Sequence, residues 1–237
     1  IAVYEQSNHV AVMCCNQLYY FQALWPDGVV AVDEGDLFEI LHAIHCHAHK
    51  KDKYEASQEA VGVLTSLGRN EWATARDELG DYRIQNSESL QIIDSALFVL
   101  VLDDYVPPTQ LDAAANMLHG SYELSQVPGE YEEYQSGTCI NRWYDKLQII
   151  VCGDGTAGIN FEHSAIDGHT ALRFVSDIYA DTVIAFAQSI TKLVSAHETI
   201  PNVINAHVKR AATALDDQGR PTLDVFPKKI YLEEPES

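Results

Sequence analysis

Short apolar runs bounded by turn residues predict strands in this chain, and apolar positions three and four apart predict helices. Residues 9–24, HVAVMCCNQLYYFQAL, read as two strands around Asn16 that end at the turn Pro26-Asp27-Gly28. In DLFEILHAIHCHAHK, residues Leu37, Ile40, Leu41, Ile44 and Ala48 share one face, which predicts an amphipathic helix over 36–50. A short helix over 54–60 and a short strand over VGVLTSL follow. Asn70 is a candidate cap for EWATARDEL, with Gly80 past its end, and Asn86-Ser87 for ESLQIIDSA.

The run LFVLVL, 97–102, is too short for most helices and predicts a buried strand. Pro107-Pro108 breaks the chain, and Thr109 is placed to cap a helix over 110–119, with Asp112 three residues on and Gly120 closing it. Residues 121–140 are polar, tyrosine-rich and aperiodic, and read as a surface loop. LQIIV (147–151) and AGINFE (157–162) flank Gly153-Asp154-Gly155, a hairpin signal. Leu172, Val175, Tyr179, Val183, Phe186 and Ile190 predict a long helix packing one face on a core. A second helix is predicted over 202–215, and an edge strand in FPKKIYLEEPES. Together these predict an α/β fold, a mixed β-sheet with helices packed on one face.

Composition narrows the picture. The chain has 237 residues, 46% of them hydrophobic, which suits a single domain over 1–237 that buries a large core without staples. A formal net charge of -20, with no basic block, argues against nucleic-acid and anionic-membrane binding. Five cysteines at 14, 15, 46, 139 and 152 form no CxxC pair and read as reduced thiols of an intracellular protein, small hydrophobes where they fall in strands. No apolar stretch of membrane-spanning length occurs. The chain opens on IAVYEQ without an initiator Met, signal peptide or Arg-rich leader, and is expected to be a piece of something longer.

Chemistry concentrates in GINFEHSAIDGHTALRF, 158–174. A strand delivers His163, Asp167-Gly168 follow, and a helix begins. Two readings stand. Asp-Gly is ordinary turn chemistry, with Asp167 capping the helix and His163 a surface residue. Alternatively, His163 is a general base, Asp167 stabilises it or its loop, and Gly168 lets a substrate approach the backbone. Elsewhere, His42, His45, Cys46, His47 and His49 crowd one helix; His45 and His49, four apart, can share a face. No acid or cysteine in that helix completes a metal site, so the cluster reads as a solvated face and no metal is expected.

The stretches NRWYDK (141–146), LQIIVCGDGTAGINFEH (147–163) and SAIDGHTALRF (164–174) resemble the choline/carnitine O-acyltransferases, most closely fungal-type carnitine acetyltransferases. VGVLTSLGRNEWATARDEL (61–79) and NQLYYFQAL add weaker support. The resemblance implies a chloramphenicol acetyltransferase-like fold, with His163 as the catalytic histidine and Asp167 as the acid beside it. It implies reversible short-chain acyl transfer between coenzyme A and carnitine, both as substrates, with no bound cofactor. Arg142 to Lys146 match a signature of structural role, in which Arg142 and Asp145 are spaced for a bracing ion pair. Members of the family are far longer; this chain matches the histidine-bearing amino-terminal domain, and the carnitine, coenzyme A and oxyanion contacts are expected in a second domain absent here. Mitochondrial, peroxisomal and cytoplasmic locations all fit. A non-catalytic isolated domain, and a chloramphenicol-type enzyme with another acceptor, remain as alternatives.

Overall fold

The computed structural model describes residues 4–164, 166–195 and 227–233. The chain divides into two compact units, residues 1–162 with 225–237, and residues 163–224. The larger contains, in chain order, β1 (His9–Cys14), β2 (Gln17–Gln22), α1 (Glu34–Ala48), α2 (Lys53–Gln58), α3 (Arg69–Tyr82), α4 (Ile84–Ser95), β3 (Val99–Leu102), α5 (Gln110–His119), β4 (Leu124–Gln126), β5 (Glu133–Gln135), β6 (Gln148–Val151), β7 (Ala157–Asn160) and β8 (Lys228–Ile230). The smaller contains α6 (Gly168–Ser195).

Six strands form one mixed sheet in the order β7-β6-β3-β1-β2-β8. β6, β3 and β1 run parallel, while β7, β2 and β8 pair antiparallel. The sequence predicts helices on one face; the structure has them on both. The reason lies in β1, whose six residues HVAVMC offer apolar side chains to either side. Ala11 and Met13 join Val99, Val101 and Ile150 beneath Trp72, Leu79, Leu90 and Ile93 of α3 and α4. Val10, Val12 and Cys14 join Tyr19 and Phe21 beneath Ile40, Ile44 and Ala48 of α1. A strand apolar on both sides needs cover on both, and each large side chain so buried contributes about 1.5–3 kcal/mol.

Caps set several helix starts. Asp33 accepts from the Asp36 amide at 2.8 Å, and Asp52 from the Tyr54 amide at 2.9 Å. Thr109 caps α5 and its hydroxyl donates to Asp112, as the spacing predicts. Such caps contribute about 1 kcal/mol each. The expected caps of α3 and α4 differ. Gly68, not Asn70, holds the cap position of α3, and its carbonyl accepts from Trp72 N at 2.8 Å. Asn86 lies inside α4, buried, donating to the carbonyls of Leu79 and Glu233.

VGVLTSL is a 3₁₀ segment, Val61–Ser66, rather than a strand. The Thr65 hydroxyl donates to Gly62 O at 2.6 Å and Ser66 to Val63 O at 2.7 Å, local bonds that compete with a ladder. A Cβ at Gly62 would sit 2.3 Å from the Arg142 carbonyl, so only glycine fits. Within the expected 121–140 loop, β4 and β5 pair as a two-stranded ribbon in which no residue is buried, leaving no apolar alternation to read. In α6, Leu172, Val175, Tyr179, Val183, Phe186 and Ile190 are exposed, where their spacing predicts a packed face. No other element is described in that unit to cover them; the helix expected over 202–215 lies outside the described residues.

Candidate active site

The NRWYDK stretch is anchored by burial before it reaches any functional residue. Arg142 and Asp103 are both fully buried and meet through two parallel bonds, Nη1 to Oδ1 at 3.0 Å and Nη2 to Oδ2 at 2.8 Å. The guanidinium also donates to the carbonyls of Asn141 and Asn116, and the amides of Asn116 and Asn141 donate to the same carboxylate at 3.0 Å each. The spacing of Arg142 and Asp145 predicts that they pair with each other; they do not. Arg142 turns inward beneath α5, and Asp145 turns outward to α3.

There Asp145 accepts from Arg69 at 2.5 Å and from Trp72 Nε1 at 2.9 Å. Trp72 packs edge-on against Trp143, centroids 6.0 Å apart, so the motif and the first turn of α3 are locked together. Arg69 also reaches Glu162 at 3.2 Å. Glu162 follows β7, whose last residue, Asn160, donates to the Met117 and Leu118 carbonyls at 3.0 Å each. The antiparallel hairpin β6–β7 is therefore held at its exit from two sides, by the end of α5 and by Arg69. Sequence inspection misses Arg69, Asp103 and Asn116. Each finds its partner dozens of residues away, and no local spacing encodes that.

His163 begins the smaller unit, in an exposed turn. Asp167 caps α6, its Oδ1 accepting from Thr170 N at 2.8 Å and its carbonyl from Ala171 N at 3.1 Å. The Thr170 amide is the main reason the Asp167 carboxyl lies below the usual carboxylate range; the Thr170 hydroxyl, His169 and the charge of His163 add to it. Asp167 is therefore ionised near neutrality, with hydrogen-bonding capacity committed to the helix start. Gly168 is the first helical residue, and a Cβ there would meet nothing within 4 Å, so neither strain nor packing calls for glycine.

The histidines of α1 and its cap separate into three environments. His42 stacks on Phe38 and contacts Cys46, His47 meets the Tyr19 hydroxyl at 2.9 Å, and the rings of His45 and His49 lie 4.0 Å apart. All five cysteines are free; Cys14 and Cys152 are buried, as expected, but Cys15 sits in the β1–β2 turn at φ 49° and is half-buried. Among the described residues, no helix is long and apolar enough to cross a membrane.

Residues 1–225 match the family described as choline/carnitine O-acyltransferase. A Saccharomyces cerevisiae protein provisionally named a mitochondrial carnitine O-acetyltransferase is 39% identical over 194 residues, 78% of this chain and 28% of its own length. A mitochondrial carnitine O-palmitoyltransferase 2 of Xenopus tropicalis is 34% identical over 183 residues, 75% of this chain and 23% of its own. A further Saccharomyces cerevisiae relative, a carnitine O-acetyltransferase, is 28% identical over 253 residues, 96% of this chain and 26% of its own. The chain spans about a quarter of the length of these curated relatives.

Proposed function

We propose that this chain, which belongs to the choline/carnitine O-acyltransferase family, carries the general base for reversible transfer of a short acyl group between coenzyme A and carnitine. The base is His163. One observation supports this above the others: Arg69 ties Asp145 of the NRWYDK stretch to Glu162, the residue that delivers His163 at the strand exit. A hairpin end braced from the signature motif supports reading the residue that follows it as functional.

In the reaction, the His163 imidazole takes the proton of the carnitine hydroxyl as the oxygen attacks the thioester carbonyl. The tetrahedral adduct then expels the coenzyme A thiolate, which takes the proton back. Running in reverse, the same nitrogen deprotonates the thiol, so no acyl-enzyme is needed. Asp167, ionised and capping α6, orients the turn; it does not carry the proton. In the family member that contains this chain, Asp167→Ala therefore lowers turnover less than loss of His163, and Asp167→Glu retains most of it. If Asp167→Ala matched the loss of His163 and removed the basic limb of the pH–rate profile, the two roles would have to be exchanged.

The chain covers a small share of its relatives, and a base alone does not align two substrates. Positioning supplies ~7–11 kcal/mol of barrier lowering in a well-oriented pair. The expected result is carnitine-dependent thiol release from acetyl-CoA by the complete enzyme, and none above background by residues 1–237 alone. Complete enzyme that releases no thiol in response to carnitine would refute the assigned reaction. Saturable release by residues 1–237 would refute the division of labour.

A further inference from the structure

No acid or thiol within α1 completes a metal site with its histidines, but the fold brings one of each from elsewhere. Asp104, at the exit of β3, lies 3.5 Å from His45 Nε2 through Oδ1 and 2.7 Å from His49 Nε2 through Oδ2. Cys15, in the β1–β2 turn, places Sγ 3.6 Å from His49 Nε2 and 3.7 Å from Nδ1, nearly equidistant from the two ring nitrogens. His49 Nδ1 is 2.8 Å from the His45 carbonyl, which fixes the ring with Nε2 facing the carboxylate.

We propose that His45, His49 and Asp104 form a zinc-binding site at the carboxyl-terminal end of α1, with Cys15 as the fourth ligand once the β1–β2 turn carries its sulfur toward the other three. Zinc favours four nitrogen, oxygen and sulfur ligands in a tetrahedron, with bonds of about 2.0–2.3 Å. The ligand atoms of such a site lie roughly 3.3–3.8 Å apart. The His45–Asp104 separation already falls in that range, whereas Cys15 has to shift to complete the tetrahedron. His49 and Asp104 are closer because they share a proton; zinc would replace it and draw them apart, releasing it to solvent. The Nδ1 contact to a backbone carbonyl is the outer support that metal-bound histidines commonly have.

The supporting backbone is held independently of any ion. Gln17 donates to the Ala48 carbonyl at the end of α1, and Asn16 N donates to Asn141 Oδ1 beside Cys15. Asp103, the neighbour of Asp104, is fixed by Arg142, and its amide donates to Val151 O. The segments that carry His45, His49 and Asp104 thus meet on a preformed frame, and the β1–β2 turn lies beside it. The half-exposed side chains leave the position open to solvent, so an ion can enter without unfolding.

The test is calorimetric titration of chelator-treated chain with zinc chloride, followed by the visible and near-ultraviolet spectrum with cobalt(II). One equivalent is expected to bind, weakened at least about tenfold in both His49→Gln and Asp104→Asn. His42→Gln, outside the cluster, should leave binding unchanged. Cobalt should give the intense visible bands of a four-coordinate ion and a thiolate charge-transfer band that disappears in Cys15→Ser. Circular dichroism establishes that each variant is folded. Absence of saturable zinc uptake by the wild type, or uptake that survives both His49→Gln and Asp104→Asn, overturns the site. A cobalt spectrum without the thiolate band removes Cys15 from it.

Discussion

Replacing His163 with alanine in the complete enzyme is expected to lower turnover by ~10²–10⁴-fold in both directions of the reaction. In the proposed reaction one imidazole would serve the carnitine hydroxyl in one direction and the thiol in the other, so the two losses should match. The side chain is exposed, and exposed substitutions away from special features usually change stability by no more than about 0.5 kcal/mol. The variant should melt with the wild type while its activity collapses. Steady-state rates of forward and reverse transfer, set beside a thermal melt, separate these effects. Near-normal turnover in a folded variant, or a loss confined to one direction, would remove His163 from the role of shared base.

Asp103→Ala is expected to have the opposite signature, a large loss of stability. It leaves the Arg142 guanidinium in the core without its carboxylate, and removing one partner of a buried pair costs about 3–5 kcal/mol. Asn116 and Asn141 lose an acceptor at the same time. The midpoint of urea unfolding should fall with little change in slope. The double variant Asp103→Leu/Arg142→Met should recover much of the loss, because a buried pair often does no better than well-packed apolar residues. A loss under about 1 kcal/mol in Asp103→Ala would mean that water reaches the pair and that it does not anchor the motif.

The parts of the fold legible in the sequence are those with local causes. The β1–β2 and β6–β7 hairpins, the apolar run of β3 and the Thr109–Asp112 cap each come from residues within a few positions of one another. Where partners are distant, local spacing misleads. Asn86 looks like a cap and is a buried tie between Leu79 and Glu233, the latter from the far end of the chain. Arg142 looks like a partner for Asp145 and belongs to Asp103. The second layer of helices went unread in β1 because an all-apolar strand does not by itself say which side is covered. At the candidate site, His163 and Asp167 stand out by spacing and family resemblance. Arg69, which braces the strand exit, does not, since the first turn of a helix is an ordinary place for an arginine.

The edge strand β8 has a consequence for how the protein is made. Lys229 bonds Gln17 across 212 positions, and β8 pairs with β2 along its outer side. At a synthesis rate of about 5–20 residues per second, the ribosome needs on the order of ten to forty seconds to deliver β8 after β2. During that interval the growing sheet presents the ladder of QLYYFQ, rich in aromatic residues, as an open template for neighbouring nascent chains. β8 begins with two lysines, so among the described residues the rim it forms carries charge where the interim rim is adhesive. Yield in a cell should therefore depend on chaperone cover during translation more than on the stability of the completed fold.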